Sequence, residues 1–369
     1  MIPVCEPQVG EREMELVLDC LRTGWISSAG KYLDEFERRW AAYCGMKHGI
    51  AVSNGTTALE VAVELLDLQQ GDEVILPTFT IISPAQAVAR CGGVPVLVDS
   101  EPESWQMDVR QIEAKITPRT RAILVVHIYG HPADMDPILD IARRHNLTVI
   151  EDAAEVHGAE YKGRKCGGMS PISAFSFYAN KLVTTGEGGM VLVQDDALAE
   201  RARALRNLCF QRKRRFLHDR LGHNFRLTNL QAALGVAQME RLEQTIERKR
   251  AIAHAYAGRL SGLPGVMFPK EQSWARSVFW VCGLLLEKAD PAALADALRA
   301  QGVETRPFFL GMHEQPVFQQ MGWFHGERYP VAERLARQGL YLPNGCALGD
   351  EDICRICGCV EEFLTRREA

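Results

Sequence analysis

Lys181 is the only lysine in AFSFYANKLVTTGEGGMVLV, residues 174–193, where an apolar run gives way to a glycine-rich turn. A lysine taken alone is most often a solvated surface group, so its role depends on what stands beside it. A carboxylate is available upstream, because LTVIEDAAEVHG (147–158) closes a strand-like run with Glu151 and Asp152. Read alone, Asp152 is equally a helix cap or a loop acid. In open α/β sheets, however, ligands sit outside the carboxyl ends of the strands. If 172–177 runs parallel to 147–152, Asp152 and Lys181 reach the same edge. A carboxylate and an amine in one crevice suit a cofactor with an aldehyde and a basic ring nitrogen, and pyridoxal 5′-phosphate (PLP) is that cofactor.

A phosphate site is also available. Ser53, Asn54, Gly55, Thr56 and Thr57 directly precede the amphipathic pattern of SNGTTALEVAVELL. A helix N-terminus offers free N–H groups and a positive dipole end, and a glycine there lets the backbone approach closely. The same residues also cap helices that bind nothing. Ser176, four residues before Asn180, adds a hydroxyl. Other phosphate chemistry is excluded: no G-x-G-x-x-G follows a strand and opens a helix, and no Walker lysine motif occurs.

The elements that must hold these residues follow a strand–helix alternation. Runs dense in Val, Ile and Leu at 73–78, 94–99, 121–130 and 147–152 read as strands buried on both faces. Helical patterns lie between them at 56–68, 83–91, 108–115 and 134–145. This alternation predicts an α/β domain on a largely parallel sheet. The strands at 172–177 and 188–194 are joined by a link too short for a comfortable parallel crossover, so one of them is expected to run antiparallel. A helical stretch over 229–262 follows, then a strand at 278–286, a helix at 290–302 and a terminal helix. The expected division is a large α/β domain over 1–247, with the first thirty or so residues packing on a small α+β domain over 248–369.

Composition narrows the function classes. The formal net charge of −5 over 369 residues gives no reason to expect nucleic acid or an anionic membrane as partner. No run of apolar residues is long enough to span a bilayer, and the N-terminal segment lacks a secretory pattern, so a cytoplasmic protein is expected. Eleven cysteines are scattered apart from Cys354, Cys357 and Cys359. No second CxxC or His pair completes a four-ligand set, so no metal is expected. Cys354 and Cys357 are instead expected to share a core-facing helix stripe with Ile353 and Val360.

With Asp152, Lys181 and the 53–57 turn set side by side, the sequence resembles the PLP-dependent sugar aminotransferases of the DegT/DnrJ/EryC1/StrS type, which have the type I, aspartate-aminotransferase fold. The likeness runs through TGWISSAGKYLDEFE, SNGTTALEVAV, GDEVILPTFT, HIYGHPADMDPI, VIEDAAEVHGAEYKGRKCGG, FSFYANKLVTTGEGGM and NFRLTNLQAALGVAQMERL. It implies that Lys181 binds the cofactor aldehyde and shuttles protons, and that Asp152 keeps the pyridine nitrogen protonated. Gly55, Thr56, Thr57 and Ser176 are then phosphate contacts, and Glu155 hydrogen-bonds the ring hydroxyl. Asn224 matches an asparagine that reaches the phosphate from the other subunit, which implies a homodimer with both active sites at the interface. Where the family often stacks an aromatic ring on PLP, this chain has Ile81.

Within the family, the branch that aminates GDP-4-keto-6-deoxymannose is the nearest likeness, through EDAAE, the 174–190 segment, RRFLHDRLGHNFRLTN and RPFFLGMH. The amino donor by family habit is L-glutamate. Arg214 or Arg215 would meet the nucleotide diphosphate, for which a guanidinium fork is well shaped, although RKRR is also readable as a solvated loop. Trp25, Ser27, Arg306 and His313 are the remaining candidates for the sugar and nucleotide pocket. Leu310 and Gly311 replace the branch's usual His-Pro, which keeps a UDP- or dTDP-linked keto sugar as the alternative. A non-catalytic regulator or binding protein on the same fold is the alternative of another class, and the chain lacks the length for an added DNA-binding module.

Overall fold

The Val-, Ile- and Leu-rich runs become strands in the computed structural model, which describes residues 1–210, 214 and 216–365. Strands β1 (His48–Val52), β2 (Glu73–Pro77), β3 (Val94–Val98), β4 (Thr120–Val126) and β5 (Thr148–Asp152) come first. The short β6 (Glu160–Tyr161) and β7 (Arg164–Lys165) follow, then β8 (Ile172–Ser176) and β9 (Gly189–Val193). All but β6 and β7 form a seven-stranded sheet in the order β1-β9-β8-β5-β4-β2-β3. Every residue of β2, β8 and β9 is buried, as befits strands covered on both faces. The pairs among β2, β3, β4, β5 and β8 are parallel, whereas β9 runs antiparallel to both β8 and β1. Residues 177–188 contain no helix, so the chain turns back instead of crossing over. The sheet is therefore mixed and mostly parallel.

Helices cover the sheet: α1 (Glu11–Thr23), α2 (Lys31–Tyr43), α3 (Gly55–Glu64), α4 (Ser83–Arg90), α5 (Met135–His145) and α6 (Asp196–Leu205). In α5 the buried Met135, Ile138, Ile141 and Ala142 form one stripe, the apolar face that makes a surface helix dock. Two further helices, α7 (Asn229–Glu240) and α8 (Leu242–Leu260), break at Arg241 the single helix expected over 229–262. Arg241 leaves helical geometry and its guanidinium is held 2.9 Å from Glu13. The inner end of α8, with Leu242 and Ile246, belongs to the core around the large sheet. Its outer end, with Ile252, Tyr256 and Leu260, belongs to a second core.

That second core lies under a four-stranded antiparallel sheet. Strands β10 (Val266–Met267), β12 (Cys282–Leu286), β13 (Arg306–Pro307) and β14 (Gly339–Leu342) run in the order β10-β12-β14-β13, while β11 (Ala275–Arg276) pairs with β6. Helices α9 (Pro291–Ala300), α10 (Pro316–Gln320), α11 (Pro330–Gln338) and α12 (Asp350–Thr365) complete this part. The first residues of the chain join it, since Ile2 bridges Val303 and Val4 O accepts from Asn344 N. α1 does not follow them, and packs on α7 beside the large sheet.

Several local expectations are corrected. The segment 108–115 is two short 3-10 turns, because the Asp108 side chain takes the N–H of Arg110 and Pro118 lies just beyond. β1 is an added strand whose short HGIAV run carries little alternation to announce it. Only 282–286 of the run 278–286 is a strand, since Phe279 turns the chain with φ 44°. Cys354 is exposed while Ile353, Ile356, Cys357 and Val360 are buried, so Ile356 takes the place on the buried stripe that Cys354 was expected to fill. No helix among the described residues is long and apolar enough to cross a membrane, and no cluster of His, Cys, Asp or Glu there could hold a metal ion.

Candidate active site

Parallel pairing of β5 and β8 brings their carboxyl ends to one edge, with Asp152 opposite Ala174. A cavity of about 670 Å³ opens there, lined by residues that follow β1, β2, β5 and β8. Asp152, the last residue of β5, is 3 % exposed. Its Oδ1 accepts from Ala154 N at 3.1 Å. Burial pushes its carboxyl up to about 6, against the hydrogen bond from Ala154 N and the opposing charge of Lys181. Behind it, His127 accepts from Ala133 N through Nδ1 and so presents Nε2–H to the buried Glu151, 3.1 Å away. Glu151 is spent on structure, accepting from the N–H groups of Gly167, Met169 and Ser170.

Glu155 is fixed from the opposite side. Its Oε2 accepts from Tyr129 N at 2.7 Å, and Tyr129 takes a left-handed φ of 57°, uncommon for a bulky residue. Its Oε1 lies 3.8 Å from Lys181 Nζ, and the Lys181 side chain is only 9 % exposed. Burial lowers the Lys181 amine from its usual value while Glu155 and Asp152 resist that fall. Burial likewise raises Glu155, with Lys181 opposing. The lysine is thus a buried amine between two buried acids, far from the surface group that a lone lysine usually is.

The turn after β1 forms the floor. Asn54 caps α3: its Oδ1 accepts from Thr57 N at 2.9 Å, and its carbonyl takes Thr57 Oγ1–H and Ala58 N–H. The first N–H groups of a helix have no partner within it, so those of Gly55 and Thr56 remain to bind an anion. Gly55 faces Ser176 closely, and a Cβ there would stand 2.6 Å from the serine Cβ. Thr80 Oγ1 and Asn180 Oδ1, both on the cavity wall, are buried with no hydrogen-bond partner. A glycine cradle at a helix start, two unpartnered polar atoms and a buried amine flanked by acids fit a phosphorylated aromatic aldehyde such as PLP.

Of the residues expected from sequence, Gly55, Thr56, Thr57, Ile81, Asp152, Glu155, Ser176 and Lys181 meet in this cavity. Ile81 is 46 % exposed at its rim. The other described candidates lie off its wall within one chain. Asn224 is exposed and its Oδ1 accepts from Arg226 Nε at 2.8 Å. Trp25 and Ser27 are exposed, and their backbone carbonyls hold Asn229. Arg214 is exposed, Arg215 lies outside the described residues, and Arg306 pairs with Glu304 at 2.6 Å. His313 is 4 % exposed. Its Nδ1 meets Thr78 Oγ1 at 2.8 Å and its ring packs on Tyr329, so its surroundings are packing rather than open cavity. The sequence reading missed Thr80, Trp280, Phe309 and Tyr341, all on the cavity wall. The last three come from the small-sheet half; Phe309 lies within RPFFLGMH and Trp280 within the 278–286 run, but neither pattern showed that their side chains reach the cavity.

Comparison with known proteins agrees with this geometry. Residues 7–361 match the model of the DegT/DnrJ/EryC1/StrS aminotransferase family. A GDP-perosamine synthase of Caulobacter vibrioides is 41% identical over 367 residues, covering 98% of each chain. A dTDP-3-amino-3,4,6-trideoxy-alpha-D-glucose transaminase of Streptomyces venezuelae is 38% identical, over 91% of this chain and 88% of its own. The solved structure of S. venezuelae DesV superposes with a TM-score of 0.90 at 37% identity, over 95% of this chain and 94% of that one. The mixed sheet with its edge cavity is the type I fold of PLP-dependent transferases. The chain belongs to the DegT/DnrJ/EryC1/StrS aminotransferase family and is an enzyme of the transaminase class.

Proposed function

We propose that the chain is a PLP-dependent aminotransferase that moves the amino group of L-glutamate to C4 of GDP-4-keto-6-deoxymannose, giving GDP-perosamine, as a cytoplasmic homodimer. The observation that carries the chemistry is the buried Lys181 amine, 3.8 Å from Glu155 and on the sheet edge that also carries Asp152. When bound, PLP supplies an aldehyde for amines and a cationic ring that takes up the electrons left as a substrate C–H bond breaks. The N–H groups of Gly55 and Thr56 and the Ser176 hydroxyl would hold the phosphate, and Thr57, whose hydroxyl donates to the Asn54 carbonyl, would secure the turn that presents them. Asp152 would hold a proton on the ring nitrogen, and Glu155 would accept from the ring hydroxyl. Ile81 would cover one ring face with an aliphatic group. Lys181 Nζ, its basicity lowered by burial, takes the α-proton of the amino donor and returns a proton to the sugar carbon.

The sugar assignment rests on relatives from three bacteria named GDP-perosamine synthase, 37% to 41% identical over at least 98% of this chain. The 38% identical transaminase named for a dTDP-sugar keeps that nucleotide as the second reading. Arg214 and Arg215 are proposed to meet the diphosphate, and Trp25, Ser27, Arg306 and His313 to act near the sugar or nucleotide. Asn224 is proposed to complete the partner subunit's phosphate site. The test is kcat/KM for GDP-, dTDP- and UDP-linked 4-keto-6-deoxy sugars at fixed glutamate. A preference of about tenfold or more for a dTDP or UDP substrate overturns the perosamine reading and leaves the aminotransferase standing.

A further inference from the structure

Lys181 rests on a surface that the chemistry above does not use. Its Nζ lies 3.5 Å from the centroid of the Trp280 ring, well within the distance at which an indole face attracts an ammonium. The indole is fixed from two directions. Its Nε1 donates at 2.9 Å to the carbonyl of Asn180, the residue before Lys181. The backbone carbonyl of Trp280 in turn accepts from Lys249 Nζ at 3.1 Å. Trp280 and Lys249 are both buried. Just before Trp280, Phe279 holds the left-handed φ of 44°, a conformation that a bulky residue adopts only when its surroundings impose it. Trp280 stands between this strained turn and the start of β12 at Cys282, and it lines the cavity.

We propose that Trp280 is a positioning residue for Lys181: its indole face holds the free ammonium beside Glu155, and Lys249 fixes the indole through the Trp280 carbonyl. This deepens the aminotransferase reading and rests on it for the catalytic role of Lys181. The groups acting on the amine come from several elements. Glu155 and Asp152 favour its charged form, while Lys249, on α8, and burial disfavour it. Cys5, from the N-terminal segment, also favours the charged form, and the buried His157 stands close enough to feel the Lys181 charge. The indole face acts with the carboxylates. A platform of this kind gives the released amine one resting place from which to take and return a proton.

The test changes the ring's electrostatics without changing its size. Tryptophans with one, two and three fluorines are placed at position 280 of the full-length, PLP-free chain. Acetylation of Lys181 by acetic anhydride is followed against pH by peptide mass spectrometry. Fluorine drains the negative ring face, so the labelling midpoint is expected to fall stepwise, by about half a pH unit or more across the series. A midpoint that ignores fluorination overturns the proposal. In the PLP-loaded enzyme, Trp280→Leu is expected to lower kcat by about tenfold or more with the KM for glutamate little changed. An unchanged kcat in natively folded Trp280→Leu protein also overturns it, and if that variant does not fold, the fluorinated series decides alone. The labelling readout needs no turnover, so its failure is separate from failure of the aminotransferase reading, which would show as no transamination of any nucleotide-linked keto sugar by the PLP-loaded wild-type enzyme.

Discussion

The start of α3 and the end of β8 meet at Gly55 and Ser176, where a methyl group on residue 55 would lie 2.6 Å from the serine Cβ and 2.9 Å from its Oγ. Two consequences follow from that closeness. Gly55→Ala forces the first turn of α3 away from Ser176, and overpacking of this sort costs about 1–3 kcal/mol. The same movement spreads the N–H groups and the hydroxyl that are proposed to hold the phosphate. The variant is expected to melt at lower temperature and to bind PLP at least about tenfold more weakly. Wild-type PLP affinity in Gly55→Ala would remove the cradle from the phosphate site.

Lys181 is expected to be the residue that carries PLP covalently. Borohydride reduction of the loaded protein, followed by peptide mapping, should place the label on the peptide that holds Lys181. A label on any other lysine sinks the assignment. Lys181→Ala should keep noncovalent PLP through the cradle yet lose about 10²–10⁴-fold in turnover, the usual worth of a positioned proton-transfer group. Glu155 adds to this environment from 3.8 Å. Glu155→Gln should therefore reduce turnover less than the loss of Lys181 does.

Much of this site could be read from the chain because its residues sit at element boundaries. Asp152 ends an apolar strand, Gly55 opens an amphipathic helix, and Lys181 follows a strand of one register-paired set. Strand ends and caps leave marks in sequence as changes of period and as glycine or asparagine. Trp280 left no such mark. Its place depends on the left-handed turn at Phe279 and on a carbonyl bond from Lys249, thirty-one residues earlier, and neither is visible as a pattern. His313 shows a different limit: the motif histidine is plain in the sequence, but its burial against Thr78 and Tyr329 is not. A segment such as 108–115 fails for a local reason, since the Asp108 side chain competes for the backbone N–H that a helix would need.

Asp152 gives the PLP-free protein a specific pH response. In the unfolded chain its carboxyl ionises near pH 3.9, or roughly there, and in the fold burial lifts it to about 6. Well below pH 4 both states are protonated and the displaced ionisation contributes nothing to the pH dependence. Between pH 4 and about 6 only the unfolded chain sheds the proton, so stability is lost as pH rises. Above about 6 the loss is complete, at most about 3 kcal/mol from two pH units of displacement. Asp152→Asn removes the titration and can still accept from Ala154 N. Its melting temperature without PLP should therefore gain on wild type from pH 4 to 6 and then hold a constant lead. A difference that does not vary with pH would show that the carboxyl titrates normally. PLP retention should fall in the same variant, because an amide cannot hold the ring nitrogen's proton.

Asn224 tests the proposed sharing of the site between subunits. In its own chain it is exposed, its side chain accepts from Arg226, its backbone bridges Asn207, and it is absent from the cavity wall. A phosphate contact from this residue is therefore proposed to be made in a second copy. Asn224→Asp would set a carboxylate against the phosphate and should weaken PLP retention. Mixed with Lys181→Ala protein under conditions that exchange subunits, it should regain activity. In a hybrid dimer one site carries both defects and the other carries neither. Random pairing of equal amounts makes half the dimers hybrid, so about a quarter of wild-type activity is expected. The measurement is turnover before and after exchange, with hybrids confirmed by native mass spectrometry. Confirmed hybrids without recovered turnover would mean that Asn224 serves its own chain's site or none, and the shared-site dimer would have to be abandoned.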